Sequence, residues 1–307
     1  MHIIETEHSI YIKPCVATIG FFDGVHRGHT FLIEEVKDWA RKQGLQSMLI
    51  TFSEHPKKVL YPEEQITELS TAEEKITYLS KTGIDACLLL PFTLDLAKFT
   101  ALSFMRLLHD VYKVQTLIVG HDHRFGHNRG DGFEQYRHYG EMLGMQVIAG
   151  RALEENGYAI SSSLIRKLIA TGELSKANAY LGYYYTVRGT VIRGFQMGRK
   201  MGFPTANISL TDTHKLLPMC GVYAVFVEVK GQKYKGMLDI GTRPTMENGN
   251  HITIEVHILD FNEDIYGEQI TVEFVRYLRA DIKFSSIPLL IEQLKKDEIL
   301  TREILNC

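Results

Sequence analysis

The sequence predicts an α/β domain with a parallel sheet, followed by a small antiparallel β-barrel and a terminal helix. In the first 150 residues, short apolar runs alternate with amphipathic stretches, a pattern typical of strands and helices in a parallel sheet. From Gly182 onward, β-rich runs separated by turn residues dominate, which is typical of a small barrel. The 307 residues suffice for two domains of roughly 100–200 residues each.

Residue spacing predicts the elements of the first half. A helix over residues 30–43 has its apolar side chains at helical spacing. Thr71 can cap another helix, with Glu74 three residues later completing a capping box. The remaining predicted elements are helices at 101–111 and 161–181 and strands at 16–19, 47–52, 86–90, 117–120 and 147–149. Ligands of parallel sheets bind beyond the carboxyl ends of strands, so the loops after these strands are where a site is expected.

The second half has a different pattern. Its predicted strands cover residues 184–192, 222–229, 233–239, 252–258 and 270–278. Turn residues such as Lys230-Gly231 separate them. An amphipathic helix over residues 287–305 closes the chain.

Composition narrows the class of protein. The chain is 45% hydrophobic and 23% charged, as in soluble globular proteins. The net charge of -3 and the lack of a basic block disfavour sequence-independent nucleic-acid binding. The sequence has no apolar run of about 18 residues, as a membrane span would need. Its N-terminal segment does not resemble a secretory leader. The four cysteines are far apart in the sequence and form no C-x-x-C pair. We therefore expect a cytoplasmic protein with reduced thiols and neither a nucleic-acid nor a membrane partner, and the oligomeric state stays open.

The first group of candidate site residues lies at the turn between the first predicted strand and helix. Gly20, Gly24 and Gly28 allow the backbone to bend and approach a ligand closely. His26 and His29 flank the start of the helix, where free N–H groups and a partial positive charge suit phosphate. Imidazoles there can donate hydrogen bonds to charge developing on a phosphoryl group. No protein nucleophile is needed if the second substrate itself attacks.

This turn reads GFFDGVHRGH. It resembles the H-x-G-H signature of nucleotidylyltransferases, and in this context the adenylyltransferase module of the bacterial bifunctional riboflavin kinase/FMN adenylyltransferase (FAD synthetase) family. The resemblance implies a Rossmann-like domain in which His26 and His29 are catalytic. Phe21 and Asp23, together with the three glycines of the turn, are then expected to bind nucleotide and phosphate.

Two further segments resemble the same module, TFSEHP and VGHDHRFGHNRGDG. Ser53 and Glu54 replace the usual Asp-Pro of the first, and His123 replaces the usual Phe of the second. By resemblance, the residues that bind flavin are His55, Asp122, Arg124, Phe125 and Gly126.

The segment ISSSLIR follows at the start of a predicted helix. Ser161, Ser162 and Ser163 can cap that helix and bind phosphate, and Arg166 offers a planar fork of donors for phosphate oxygens. The segment resembles the second nucleotidylyltransferase signature, which adds Arg166 to the expected catalytic residues.

The second group of candidate residues is the loop GFQMGRKMGFPTAN. The amides of Gly194, Gly198 and Gly202 could wrap phosphates. Thr205 and Asn207 each offer a hard oxygen ligand of the kind that Mg²⁺ prefers. The loop resembles the riboflavin kinase signature G-x-x-x-G-R-x-x-G-F-P-T-A-N, which adds Arg199 and Pro204 to the phosphate-binding set. The resemblance implies ATP as co-substrate and Mg²⁺, or another divalent cation, as cofactor.

Glu255 lies between Ile254 and Val256 on a predicted strand, so its side chain faces the other side of the sheet from theirs. A kinase needs a base that accepts the proton of the substrate hydroxyl. By resemblance, Glu255 is that base for the 5′-hydroxyl of the ribityl chain, and Arg279, in YLRADIKFSS, belongs to the flavin site.

The resemblance extends from about residue 16 to the final helix. It predicts an FMN adenylyltransferase domain over 1–182 and a riboflavin kinase domain over 183–307, which together convert riboflavin to FMN and FMN to FAD with ATP. One alternative is a monofunctional riboflavin kinase whose N-terminal module is inactive, which His123 and the altered TFSEHP segment would favour. Another is a flavin- or nucleotide-binding regulator without turnover.

Overall fold

The protein is described as a computed structural model that covers residues 1–5, 13–121, 123–127, 130–194, 197–244 and 250–306. The chain divides into two compact units, Met1–Ser162 and Ser163–Cys307. The predicted functional boundary at 182–183 lies further along the chain and stays a prediction. Within the second unit, Asn178 donates to the Phe274 carbonyl and accepts from the Tyr185 N–H, both at 2.8 Å. These bonds fix the helix that contains Asn178 to the strands that follow it.

A six-stranded parallel sheet forms the centre of the first unit. Its strands are β1 (His2–Glu5), β2 (Cys15–Ile19), β3 (Gln46–Phe52), β4 (Ala86–Leu90), β5 (Val114–Val119) and β6 (Gln146–Ala149). Their spatial order is β1-β4-β3-β2-β5-β6. A short antiparallel pair, β7 (Glu154–Glu155) and β8 (Tyr158–Ala159), follows in the chain. The central strands β2 and β3 are almost completely buried, as expected where helices cover both faces of a sheet.

Helices cover both faces of this sheet. They are α1 (Arg27–Gln43), α2 (Pro56–Leu60), α3 (Ala72–Ser80), α4 (Leu94–Ala97), α5 (Ala101–Asp110) and α6 (Phe133–Leu143). Ile33 and Val36 of α1 pack in one buried cluster, and Phe104 and Leu108 of α5 pack in another. The capping box predicted at Thr71 is confirmed, because both of its hydrogen bonds are present.

A closed barrel of antiparallel strands forms the second unit. The elements of this unit are α7 (Ser162–Ala170), α8 (Leu174–Leu181), β9 (Tyr185–Ile192), α9 (Met197–Lys200), β10 (Ala206–Leu210), β11 (Gly221–Val229), β12 (Gln232–Pro244), β13 (Asn250–Ile258), β14 (Gln269–Arg279) and α10 (Ile287–Leu305). The strands are ordered β10-β13-β12-β11-β14-β9, and β9 pairs with β10 to close the barrel. Alternate residues such as Val187, Leu238 and Val256 fill its interior.

The predicted fold class is confirmed in both units, but several elements, among them α6, were not predicted. Three of the differences have a clear physical reason. Strand β1 was not predicted because only Ile4 of its residues is buried, so it shows no apolar alternation. The single helical segment predicted at 161–181 is two helices, because Gly172 adopts a φ of 77° and interrupts it. Strand β10 was not predicted, because it is short and half-buried and so has only a weak apolar pattern.

Among the described residues, no helix is both long and apolar enough to span a bilayer.

Candidate active sites

The two histidines of the H-x-G-H segment lie together at the start of α1. His26 is the N-cap residue, and its Nδ1 accepts a hydrogen bond from the His29 N–H at 3.3 Å. The two rings stack with centroids 3.6 Å apart, and the His29 ring meets the edge of Phe22 at 5.1 Å. His26 is only 3% exposed. Both imidazoles are thereby held where the N–H groups of a helix terminus favour phosphate, while their catalytic role stays a prediction.

Gly28 lies between these histidines because no side chain fits at its position. A Cβ there would be 2.7 Å from the Ile160 carbonyl oxygen and 3.1 Å from His26 Nδ1. Gly24, one turn earlier, has a φ of 76°, which favours glycine. Two of the three predicted glycines are therefore needed to build the turn itself.

We expect Gly28→Ala to destabilise the first unit by about 1–3 kcal/mol, the usual cost of adding a methyl group where there is no room. It should also slow FAD formation from FMN, because the new methyl group meets His26. Thermal unfolding and flavin chromatography measure the two effects. Gly130→Ala is the control, because a Cβ at that position meets nothing within 4 Å. Equal melting temperatures for the two variants would contradict the close approach.

Asp23 helps to build the same turn. Its carboxylate accepts hydrogen bonds from the N–H groups of Leu69 at 2.9 Å and Ser70 at 3.0 Å. The Ser70 hydroxyl in turn accepts from the Gly24 N–H at 2.9 Å, and the Ser162 hydroxyl donates to the Asp23 carbonyl at 3.0 Å. These bonds give Asp23 a positioning function in addition to the predicted contact with nucleotide.

The structure brings Phe21 and His55 together, although they follow different strands. Phe21 comes after β2 and His55 after the neighbouring strand β3, and their rings meet edge to face at 4.4 Å. His55 also caps α2 by accepting from the Lys57 N–H at 3.1 Å. Gly20, which precedes Phe21, packs closely on a different ring, since a Cβ there would lie 3.0 Å from the Phe22 ring. The pair lies at the carboxyl edge of the sheet, where a ligand is expected.

The predicted flavin loop is anchored at Phe125. Its ring stacks on Tyr136 at 4.2 Å, and the Tyr136 hydroxyl bonds to both the N–H and the carbonyl of Phe125 at 3.0 and 3.1 Å. Gly126 has a φ of 90°, and a Cβ there would lie 2.6 Å from the first backbone nitrogen of α5. Arg124 is exposed, and Asp122 lies outside the described residues. The Phe125 side chain is thereby held in the interior, while Arg124 beside it faces solvent.

The serine segment continues into α7. Ser161 and Ser162 end the first compact unit, and Ser163 and Arg166 lie on α7 in the second unit. Ser161, Ser162 and Arg166 are half-buried and Ser163 is exposed. Their binding of phosphate stays a prediction.

A cavity of about 620 Å³ lies on the outer face of the barrel, between the strands and α10. Glu255 lines it, while Ile254 and Val256 on either side point into the barrel interior and are 4% and 0% exposed. The predicted alternation along this strand is confirmed. A cavity of this volume is within the range of small-molecule sites.

Three oxygen-bearing side chains form a row across neighbouring strands, and two of them, Glu255 and Asp239, line this cavity. Asn207 of β10 lies directly opposite Glu255 of β13, and Asp239 of β12 lies opposite Glu255 on the other side. The Thr205 hydroxyl donates to Glu255 Oε2 at 3.1 Å. Asp239 was not among the predicted site residues, although it ends a predicted strand and directly follows the apolar Leu238. The strand pairing places Asn207 beside Glu255, and the hydrogen bond places Thr205 there. The predicted metal ligands therefore lie next to the predicted base.

The glycines of the predicted phosphate loop are sterically required. A Cβ on Gly194 would overlap the Asn207 carboxamide, and one on Gly198 would overlap the Phe203 carbonyl. Gly202 has a φ of 83°. The backbone at Gly194 therefore lies directly against the Asn207 side chain.

Pro204 and His257 connect this loop to β13. His257 Nδ1 donates to the Pro204 carbonyl at 2.7 Å, and the His257 ring meets Phe203 edge to face at 5.3 Å. Arg199 is exposed. His257 was not predicted, although its position two residues after Glu255 places both on the same face of the strand.

Arg279 lines the cavity, but its guanidinium group is held by α10. It makes hydrogen bonds of 2.8–3.2 Å to both carboxylate oxygens of Asp297, and its remaining amine donates to the Ala280 carbonyl at 3.0 Å. Gln293 donates to Asp297 Oδ1 at 2.8 Å. The two side chains of the ion pair are only 16% and 4% exposed. Arg279 therefore shapes the predicted flavin site by fixing its wall to the terminal helix.

We expect Asp297→Ala to destabilise the protein by about 3–5 kcal/mol, since it leaves a buried guanidinium group without its counter-charge. Chemical denaturation of the full chain measures this. The control is Glu263→Ala, which breaks the exposed ion pair with Lys230 and should cost at most about 1 kcal/mol. Equal losses in the two variants would contradict the buried ion pair.

Two different family models match the two parts of the chain. The family model described as FAD synthetase matches residues 9–164, and the one described as riboflavin kinase matches residues 181–305. A Listeria monocytogenes protein named bifunctional riboflavin kinase/FMN adenylyltransferase is 37% identical over 98% of this chain and 95% of its own. An Escherichia coli protein of the same name is 36% identical over 99% and 97%.

A solved structure from Streptococcus pneumoniae, described as a macrolide-efflux protein, matches with a TM-score of 0.89 and 33% identity over 98% of this chain and 99% of its own. That name denotes a different activity, so this structure supports the shared fold only. The family models and the curated relatives decide the family. The chain belongs to the bifunctional riboflavin kinase/FMN adenylyltransferase family.

Proposed function

We propose that the barrel unit phosphorylates riboflavin to FMN and that the parallel-sheet unit adenylylates FMN to FAD. As a member of its family, the chain is an enzyme with riboflavin kinase and FMN adenylyltransferase domains. One observation carries the proposal: a single chain holds both a stacked histidine pair at a helix N-terminus and a cavity lined by Thr205 and Glu255, with Asn207 opposite Glu255 on the neighbouring strand.

In the kinase step, Glu255 accepts the proton of the riboflavin 5′-hydroxyl. The freed oxygen attacks the γ-phosphorus of ATP in line, the bond to the β-phosphate oxygen breaks, and ADP leaves. The hydrogen bond from Thr205 holds the Glu255 carboxylate at the cavity. Positioning of this kind accounts for much of the rate in phosphoryl transfer.

In the adenylyl step, a phosphate oxygen of FMN attacks the α-phosphorus of a second ATP, and pyrophosphate leaves. His26 and His29 donate hydrogen bonds to the charge that develops on the α-phosphate. Arg166 adds a bidentate contact with phosphate oxygens. No protein side chain forms a bond with the nucleotide.

The side chains of the kinase site fit a divalent cation. The hydroxyl of Thr205 and the amide oxygen of Asn207 are hard ligands, and Gly194 lies so close to Asn207 that a Cβ would fill the space beside it. Mg²⁺, when bound, neutralises phosphate charge. We propose that Thr205 and Asn207 hold it together with oxygens of ATP.

We infer that riboflavin, FMN and ATP are the small-molecule partners and that the protein acts in the cytoplasm. The net charge of -3 supports the further proposal that neither nucleic acid nor a membrane surface is a partner.

Incubation of the pure protein with riboflavin, ATP and Mg²⁺, followed by flavin chromatography, tests the proposal. We expect FMN first and FAD later. FMN alone would support the monofunctional kinase, and bound flavin without any product would support the non-catalytic regulator. Addition of a chelator in excess of Mg²⁺ should stop FMN formation if the cation is required.

A further inference from the structure

Lys75 is a buried lysine at the carboxyl edge of the parallel sheet that the sequence did not single out. It lies on α3 and is 2% exposed. Lysine is almost never buried to this extent unless its ammonium group is paired. Its position next to a predicted ligand edge therefore calls for a functional explanation.

The ammonium group of Lys75 joins two strand ends. It donates a hydrogen bond to the carbonyl of Phe52, the last residue of β3, at 2.9 Å. It also lies 3.9 Å from the centroid of the Phe21 ring, just beyond β2. A desolvated cation over an aromatic face makes a strong contact. The Lys75 ammonium group thus contacts both Phe21, just beyond β2, and Phe52, at the end of β3.

The same Phe21 ring contacts His55 at 4.4 Å. The Phe21 backbone is fixed as well, since its carbonyl accepts from the Thr51 hydroxyl at 3.0 Å. The cation, the Phe21 ring and the His55 ring therefore form a continuous series of contacts. Movement of the ammonium group would release the ring against which His55 is placed.

We infer that Lys75 is a positioning residue of the adenylyl-transfer site, whose ammonium group holds the Phe21–His55 pair at the sheet edge and so sets the affinity for FMN. This inference rests on the proposed function of the first unit. Because Lys75 is buried, it acts through Phe21 and does not touch substrate.

The protonation state of the Lys75 ammonium group changes near pH 8. Burial is the largest influence and lowers the pKa of the ammonium group from 10.5 to about 8, while the carboxylates of Glu68 and Asp23 oppose this and Lys58 adds to it. Cys87 also faces Lys75, but burial raises the pKa of that thiol to about 11, so it is neutral near pH 8. The cation that holds Phe21 is therefore present below about pH 8 and lost above it.

Loss of this charge does not itself unfold the protein. Because the pKa is lower in the folded state, the unfolded chain binds more protons between about pH 8 and 10.5. The contribution of Lys75 to stability therefore rises with pH across that interval. A loss of FMN affinity there would reflect positioning rather than unfolding.

The test compares Lys75→Met with the wild-type full chain by measuring KM and kcat for FMN from about pH 7 to pH 9.5. A desolvated cation–π contact is worth roughly thirtyfold in an equilibrium constant, and only part of that reaches FMN through Phe21. We therefore expect KM for FMN to rise by about fivefold to tenfold at pH 7 with kcat little changed. The ratio of the two KM values should fall towards one by pH 9.5, as the wild type loses its own charge. Lys75→Arg, which keeps the charge, should restore a low KM at both pH values.

Lys81→Met is the matched control, since Lys81 lies over the Tyr78 ring at the exposed end of the same helix. Its KM should equal that of the wild type. A KM ratio of one at pH 7, or a ratio that does not change with pH, would overturn the inference. If Lys75→Met does not fold, a wild-type KM for FMN that stays flat through pH 8 would overturn it as well. A wild type that makes no FAD at all would instead refute the proposed function. Thermal unfolding of each variant shows whether the first unit, which carries Lys75, is folded.

Discussion

Glu255→Gln should reduce FMN formation from riboflavin by about 10²–10⁴-fold, the usual contribution of a general base. Glutamine keeps the shape of the side chain and can still accept the hydrogen bond from Thr205, but it cannot take the proton of the substrate hydroxyl. FAD formation from supplied FMN should be unchanged, because that reaction uses the other unit. Flavin chromatography with each substrate in turn measures both rates.

Glu228→Gln is the control for this variant, because Glu228 is exposed on β11 of the same barrel and lies outside the cavity. It should keep both activities. If Glu255→Gln retained rapid FMN formation, another group would have to be the base. If it lost both activities while still folded, the assignment of two sites would be wrong.

His29→Ala should have the opposite effect. Because it removes one donor at the charge that develops on the α-phosphate, FAD formation from FMN should fall by about 10²–10³-fold. FMN formation from riboflavin should continue, so FMN should accumulate. The loss of the ring stacked on His26 adds to the effect by freeing the second imidazole.

The control here is His138→Ala, since His138 is exposed on α6 of the same unit. Its FAD formation should match the wild type. Normal FAD formation by a folded His29→Ala variant would show that the histidine pair is not the catalytic group.

Much of the fold could be predicted because burial leaves a periodic trace in the sequence. Strand β3 has a nearly unbroken buried run, and α10 begins and ends at the predicted residues. The strand bearing Glu255 could be oriented from its apolar neighbours alone. Strand β1 left no such trace, because a single buried residue carries no period.

The supporting residues of the sites could not be predicted for a different reason. Asp297 holds Arg279 across 18 residues of chain, and Lys75 reaches Phe52 across 23. Contacts of this kind depend on how helices pack on strands, which no local period reveals. The motifs predicted the residues that meet substrate, whereas the groups that hold those residues in place became visible only in the folded chain.

One chain should cleave ATP at two different bonds, one at the γ-phosphorus and one at the α-phosphorus. Incubation of riboflavin with ATP labelled at either phosphorus tests this most directly. Label in the γ-phosphate should appear in FMN and then in FAD, whereas label in the α-phosphate should appear in FAD and never in FMN. α-Label in FMN, or FMN formed without γ-label, would contradict the claim.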